Sequence, residues 1–196
     1  MQKDKIKKNK AFTQQDFLKK VSGGFTLVET LVAIAIFTIS LISLMSILGS
    51  SISNTRFANN KNIAGYLAQE GIEYIRNMRD TYALTGVNNA WGNFRTKLVS
   101  CNSSGGECGF NTSLYIPLDS NFIEKCTSDP DICKVYLDNG NYNTNLTGSD
   151  SGFTRKIWVN VIDQDKEIKI YSEVEWTQGS GTYNVTFSEN LFNWIK

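Results

Sequence analysis

The chain has 196 residues, 20 of them basic and 19 acidic, for a net charge of +1, with four cysteines and no histidine. The length allows one modest domain plus an anchor. The lack of histidine excludes any Ser-His-Asp or Cys-His nucleophile within the chain and removes the commonest metal ligand. The small net charge hides an asymmetry. Residues 1–24 hold seven lysines (3, 5, 7, 8, 10, 19 and 20) against Asp4 and Asp16, a charge of +5, and the remainder holds 13 basic and 17 acidic residues, a charge of −4. A basic flank ahead of an apolar segment reads as cytoplasmic, which places the C-terminal remainder of the chain outside the cytoplasm. A net-acidic remainder disfavours electrostatic binding of nucleic acid and leaves a local basic patch as its one route.

Residues 25–52 form an apolar run of 28 residues whose only charge is Glu29. Roughly 20 such residues span a bilayer. A secretory signal peptide has an apolar region of roughly 7–15 residues and a small-residue cleavage site, so it fits poorly. A plain anchor accounts for the length but not for Glu29 or for Gly23-Gly24. A carboxylate in hydrocarbon costs roughly 2.5–3.5 kcal/mol at a helix centre even on lenient scales. Thr38, Ser40, Ser43 and Ser46 dilute the far end of the run.

Gly24-Phe25-Thr26-Leu27-Val28-Glu29, continued by Thr30-Leu31-Val32-Ala33-Ile34-Ala35-Ile36-Phe37, resembles the processing site of type IV prepilins and pseudopilins. The resemblance implies that a prepilin peptidase cuts after Gly24 on the cytoplasmic side. Phe25 then becomes the first residue and is N-methylated. It also implies that Glu29, the fifth mature residue, pairs with the N-terminal amine of the same or a neighbouring subunit.

An apolar stripe resumes beyond the run at Ile63, Leu67, Gly71, Tyr74, Ile75, Met78 and Tyr82, mostly in steps of three and four, the mark of one helix face. Glu70, Glu73, Arg76, Arg79 and Asp80 take the other positions, and Glu73 can meet Arg76 at i,i+3. One helix over about 25–79 is predicted, roughly 80 Å long at 1.5 Å per residue. Gly49, Gly65 and Gly71 interrupt it. Either they are tolerated weak points of about 1 kcal/mol each, or Gly49 permits local unwinding in a filament, as in some pilins. Residues 68–79 resemble the helix of minor pilins of the V type and pseudopilins of the I type.

Residues 81–152 read as loop-rich, crowded with Asn, Gly, Ser and Thr, with short strands at 113–118 and 134–137. All four cysteines lie there: Cys101, Cys108, Cys126 and Cys133. Four cysteines allow three connectivities. The local pairs Cys101–Cys108 and Cys126–Cys133 are favoured because each flanks its own turn, at Gly105-Gly106 and Asp129-Pro130. A zinc site is the rival, without a C-x2-C pair or a histidine to support it. Free thiols are the third reading.

The C-terminal third reads as an antiparallel meander. Ile157, Val159 and Val161 share one face. Ile168, Ile170, Ser172, Val174 and Trp176 alternate with Lys169, Tyr171, Glu173 and Glu175, and Tyr183, Val185 and Phe187 make a third strand. Three strands with one apolar face need a cover, and the helix stripe supplies it. The fold class is therefore α+β and pilin-like. The tail from Leu191 to Ile195 is apolar enough to pack back on the domain.

The expected organisation is a leader at 1–24, an assembly helix at 25–53, its amphipathic continuation at 54–80, the cysteine-bearing region at 81–152, and the meander with its tail at 153–196. No catalytic constellation, cofactor loop or metal centre is read. Asp163, Asp165 and Glu167 suit a hairpin turn better than a calcium site, and Asp138 to Asn141 suits a turn. Tyr82, Trp91 and Tyr142 read as packing or, less simply, as ligand contacts. The function expected is a structural subunit, a minor pilin or pseudopilin of a type IV pilus or type II secretion-like filament. Its partners would be prepilin peptidase, other subunits, an inner-membrane assembly platform and the bilayer. The competing reading is a membrane-anchored extracytoplasmic binding module, a DNA-uptake pilin or adhesin, with a basic cluster near Lys97 or Arg155.

Overall fold

The computed structural model describes residues 24–102, 106–110 and 122–194. The expected leader ahead of Gly24, the strand expected at 113–118 and Ile195 lie outside the described residues. The chain divides into two compact units, Met1–Ile52 and Ser53–Lys196. Helix α1, Leu27–Leu84, has 58 residues. In the first unit its residues are exposed on every side, as its uninterrupted apolar sequence requires of a helix with no cover of its own.

In the second unit, α1 from Ser53 onward packs on an antiparallel sheet. The strands are β1 (Cys108–Phe110), β2 (Ile123–Lys125), β3 (Lys134–Asp138), β4 (Asn141–Asn143), β5 (Ser149–Asp163), β6 (Glu167–Gln178) and β7 (Gly181–Phe192). The order β2-β1-β5-β3-β4 is joined by β6, which pairs with β5 and β7. Strand β5 is thus the hub, and both short hairpins attach to it. Twelve consecutive residue pairs fix β7 on β6 without a slip.

The helix stripe does what its period requires. Ala64, Leu67, Ala68, Gly71, Ile72, Ile75, Met78 and Tyr82 are buried. Ala64, Leu67 and Ala68 meet Val135, Phe153, Val174 and Trp176. Further along, Ile72, Ile75, Met78 and Tyr82 meet Phe94, Leu98, Phe110, Ile157 and Ile170. Each fully buried large apolar side chain contributes about 1.5–3 kcal/mol relative to exposure. Burial removes Tyr82 from the candidate ligand contacts.

Gly71 is not a tolerated weak point. A Cβ there would lie 2.3 Å from Ser172 Oγ and 3.1 Å from Ile157 Cδ1, so the helix approaches the sheet through the missing side chain. Gly49 and Gly65 meet nothing within 4 Å. The Ser172 hydroxyl is fully buried and has no hydrogen-bond partner among the described residues, a state that costs about 1–3 kcal/mol. Gly71→Ala is expected to destabilise the domain by about 1–2 kcal/mol net, overpacking outweighing the gain in helix propensity. Ser172→Ala should be neutral or stabilising, and in that background Gly71→Ala should lose most of its effect. Denaturant titration of the four chains tests the coupling; the same penalty in both backgrounds would show that the contact does not set it.

Arg155 is no part of an exposed basic cluster. On β5 it is almost wholly buried, 2.6 Å from Glu70. It donates to the Leu67 carbonyl at 3.2 Å and lies over the rings of Tyr74 and Phe110. Burial first, then the nearby Glu70 charge, raises the Tyr74 phenol pKa and keeps it neutral. Arg155 therefore belongs to the interior. Arg76 bonds both Glu189 on β7 and Glu73 one turn back. Those bonds, Glu189 foremost, hold its guanidinium pKa above its ordinary value.

The region expected to be loops carries more structure than its composition suggests. Helix α2, Ala90–Leu98, is followed by a 3-10 turn, Val99–Cys101. Both local disulfides form, Cys101–Cys108 and Cys126–Cys133, with Cα atoms 5.4 Å and 5.6 Å apart. The first lies in the core beside Leu98 and Phe110. The second closes on a 3-10 turn, Pro130–Cys133, whose start is held by Asp129 accepting the Asp131 N–H. Gly109 on β1 lets that turn come close, since a Cβ there would stand 2.2 Å from the Ile132 carbonyl oxygen. The β3–β4 turn has both central residues at positive φ, Asn139 and Gly140, as a tight hairpin demands. Asp163 accepts the Asp165 N–H at the β5–β6 turn.

The third strand of the meander keeps its predicted face but not the burial expected of it. Tyr183 and Phe187 are 41% and 42% exposed, and of β7 only Leu191 is fully covered. Strand β7 is an edge, so its apolar residues sit beyond the width of the one helix that covers the sheet. Val161 is exposed for a similar reason, at the end of β5 beside a register shift. The tail is divided: Leu191 packs inward and Trp194 is left exposed.

Candidate processing and assembly site

Gly24, Phe25 and Glu29 lie in sequence at the start of α1. A Cβ on Gly24 would meet nothing within 4 Å, and its φ lies outside the left-handed region. Among the described residues nothing therefore demands glycine there. Phe25 is 79% exposed. Thr26 is the residue that starts the helix: its carbonyl accepts the Thr30 N–H at 3.2 Å and its hydroxyl accepts the Glu29 N–H at 3.2 Å. Thr26-x-x-Glu29 is thus a capping-box sequence, with Glu29 at the third helical position. An acidic side chain in the first turn also suits the positive end of the helix. The spacing of Thr26 and Glu29 is the sequence signal for this cap, and the lone charge does not by itself disclose it. Among the described residues the Glu29 carboxylate itself has no hydrogen bond or ion pair.

The hydroxyls that dilute the apolar run are largely satisfied within the helix. Thr30 donates to the Leu27 carbonyl, Thr38 to Ala35, Ser40 to Ile36, Ser43 to Ile39 and Ser50 to Ile47, at 2.8–3.0 Å. Such back-bonding hides polar groups from hydrocarbon, where an unpaired one costs several kcal/mol. By length and composition the helix is able to cross a membrane. Among the described residues of the first unit, Glu29 is the one charged side chain.

The family model of the prokaryotic N-terminal methylation motif matches residues 19–48, which include Gly24, Phe25 and Glu29. Comparison with curated proteins found no match, and comparison with solved structures found none. The motif implies processing by prepilin peptidase and assembly with other pilin subunits, in a family that is structural rather than catalytic. The apolar helix and the motif together are consistent with a membrane-anchored pilin. The methylation motif matched at residues 19–48 is the mark of the type IV prepilin and pseudopilin family.

Proposed function

We propose that the chain is a minor subunit of a type IV pilus or type II secretion-like filament. Residues 1–24 are its leader, 25–53 its assembly helix, 54–80 the helical cover of the sheet, and 81–196 the outward domain that gives the subunit its individuality. The lysine-rich flank keeps the N-terminus cytoplasmic, the bilayer holds the helix before assembly, and an inner-membrane platform extracts it. The observation that carries the reading is Glu29, the lone carboxylate of residues 24–52, where the serine and threonine hydroxyls largely satisfy themselves. Cleavage after Gly24 creates an α-amine at Phe25, cationic at neutral pH when unperturbed, and that cation is the natural partner of the carboxylate.

The reading as a DNA-uptake module loses one of its two basic residues, since Arg155 is buried against Glu70. Mass spectrometry of the chain from its native membrane tests the proposal. An N-terminal peptide beginning with methylated Phe25 is expected. A chain that still carries the residues ahead of Phe25 would overturn it.

A further inference from the structure

We propose that the cleft beside the C-terminal end of α1 binds a sugar ring of a glycan. The cleft encloses about 360 Å³, at the lower end of the usual range for small-molecule sites. Its apolar walls include Trp91, Phe192 and Trp194, and its polar rim includes Arg79, Asn89 and Asn193. Among the described residues, no carboxylate or lysine lines it. Trp194 is 59% exposed and Phe192 52%, an unusual display of aromatic surface beside donors.

The walls are held before any ligand arrives. The Trp91 indole N–H donates to the Gln164 carbonyl at 2.9 Å, which fixes its ring. Asn193 is tied twice, its backbone N–H to the Lys166 carbonyl at 2.8 Å and its side-chain amide to the Asp165 carbonyl at 2.9 Å. The Arg79 guanidinium gives Nε and Nη2 to Asp80 and lies 5.9 Å from the centre of the Trp194 ring. Asn89 has left-handed backbone angles, φ 56° and ψ 47°, at the start of α2, yet its side chain makes no cap. Gly92 makes room for that side chain, because a Cβ would stand 2.3 Å from Asn89 Nδ2. The Asn89 side chain, one of the cleft's lining groups, thus makes no cap bond to its own helix.

These features select a ligand class. An apolar ligand would leave the Asn89 amide and the Arg79 N–H groups not held by Asp80 without a partner. A sugar ring offers C–H faces to the indoles and hydroxyls around its rim to amide and guanidinium donors. With Arg79 held by Asp80 and no carboxylate on the described walls themselves, neutral or acidic sugars fit better than amino sugars with free amines. Pre-set walls reduce the ordering cost of binding.

Saturation-transfer NMR on the processed full chain, in a detergent without a sugar headgroup, tests the site. The probes are the β-1,4 trimer of N-acetylglucosamine, a galactose disaccharide and trigalacturonic acid, with a tryptophan-containing tripeptide as the rival class. At least one sugar is expected to bind. Trp194→Ala should weaken it about tenfold by removing a stacking face. Asn89→Gly, which keeps the left-handed backbone and deletes the amide, should weaken it as well. Binding of none of the sugars, of the tripeptide alone, or with no change in either variant would overturn the proposal.

Discussion

Gly24→Leu is expected to leave the chain uncut while its fold is unchanged. The two halves of that expectation have separate grounds. A Cβ on Gly24 meets nothing within 4 Å and no unusual backbone angle requires glycine, so the structure tolerates leucine. A peptidase that must bring its reacting groups against the Gly24 carbonyl does not, because misplacing a substrate by about 1 Å costs on the order of a hundredfold in rate. Expressed beside its peptidase, the variant should accumulate as precursor, heavier than the wild type by residues 1–24, with an unaltered circular dichroism spectrum. Gly49→Ala is the internal comparison. A Cβ at Gly49 is likewise unobstructed, and that variant should be cut normally. Wild-type processing of Gly24→Leu would remove Gly24 from the site. A misfolded product would instead show that the glycine serves the chain's own structure.

How much of the fold is legible in the sequence depends on the distance between the residues that interact. Period and alternation are local, and they locate α1, the alternating faces of β5 and β6, and the two disulfides whose partners stand seven residues apart. Gly71 cannot be interpreted in the same way. Its place in the apolar stripe puts it on the covered face, unlike Gly65, but the contact that needs a glycine is with Ser172, about a hundred residues away. Arg155 misleads by its charge: two residues before Ile157 it falls on the inner face, but Glu70 and the Leu67 carbonyl that receive it there lie far along the chain. Helix α2 is a different case. Trp91, Phe94 and Leu98 have helical spacing, but Asn88-Asn89 and Gly92 around them are turn residues, and nine residues give the period too little room. Strand β7 has the predicted period with a different exposure, because alternation tells which residues share a face and not whether anything covers it. At the N-terminal site the residues themselves are legible, and the structure adds the Thr26 cap.

Glu29 also stands at the third position of that cap, a place whose side chain can serve a helix start, and a pair of variants separates this from its charge. Glu29→Ala removes both the charge and the capping-box side chain. Glu29→Gln keeps a side chain that suits the third position of a capping box and removes only the charge. If pairing with the Phe25 amine is what matters, both variants should be processed normally and both should fail to enter filaments. Losing one partner of an ion pair in hydrocarbon strands the other at a cost of about 3–5 kcal/mol. At about 1.4 kcal/mol per tenfold, that is a drop in incorporation of roughly a hundredfold or more. If the cap is what matters, Glu29→Gln should assemble like the wild type. The Ala variant should then show a milder defect, since the Thr26 hydroxyl still caps the helix and the loss is smaller than the about 0.5–2 kcal/mol of a whole N-cap. Quantifying mature chain in sheared filaments against mature chain left in the membrane distinguishes the cases. Equal loss in the two variants, with cleavage intact, is the expected result. The serine and threonine hydroxyls of the same helix bond to their own backbone, so Glu29 is the group in it that gains most from a second subunit.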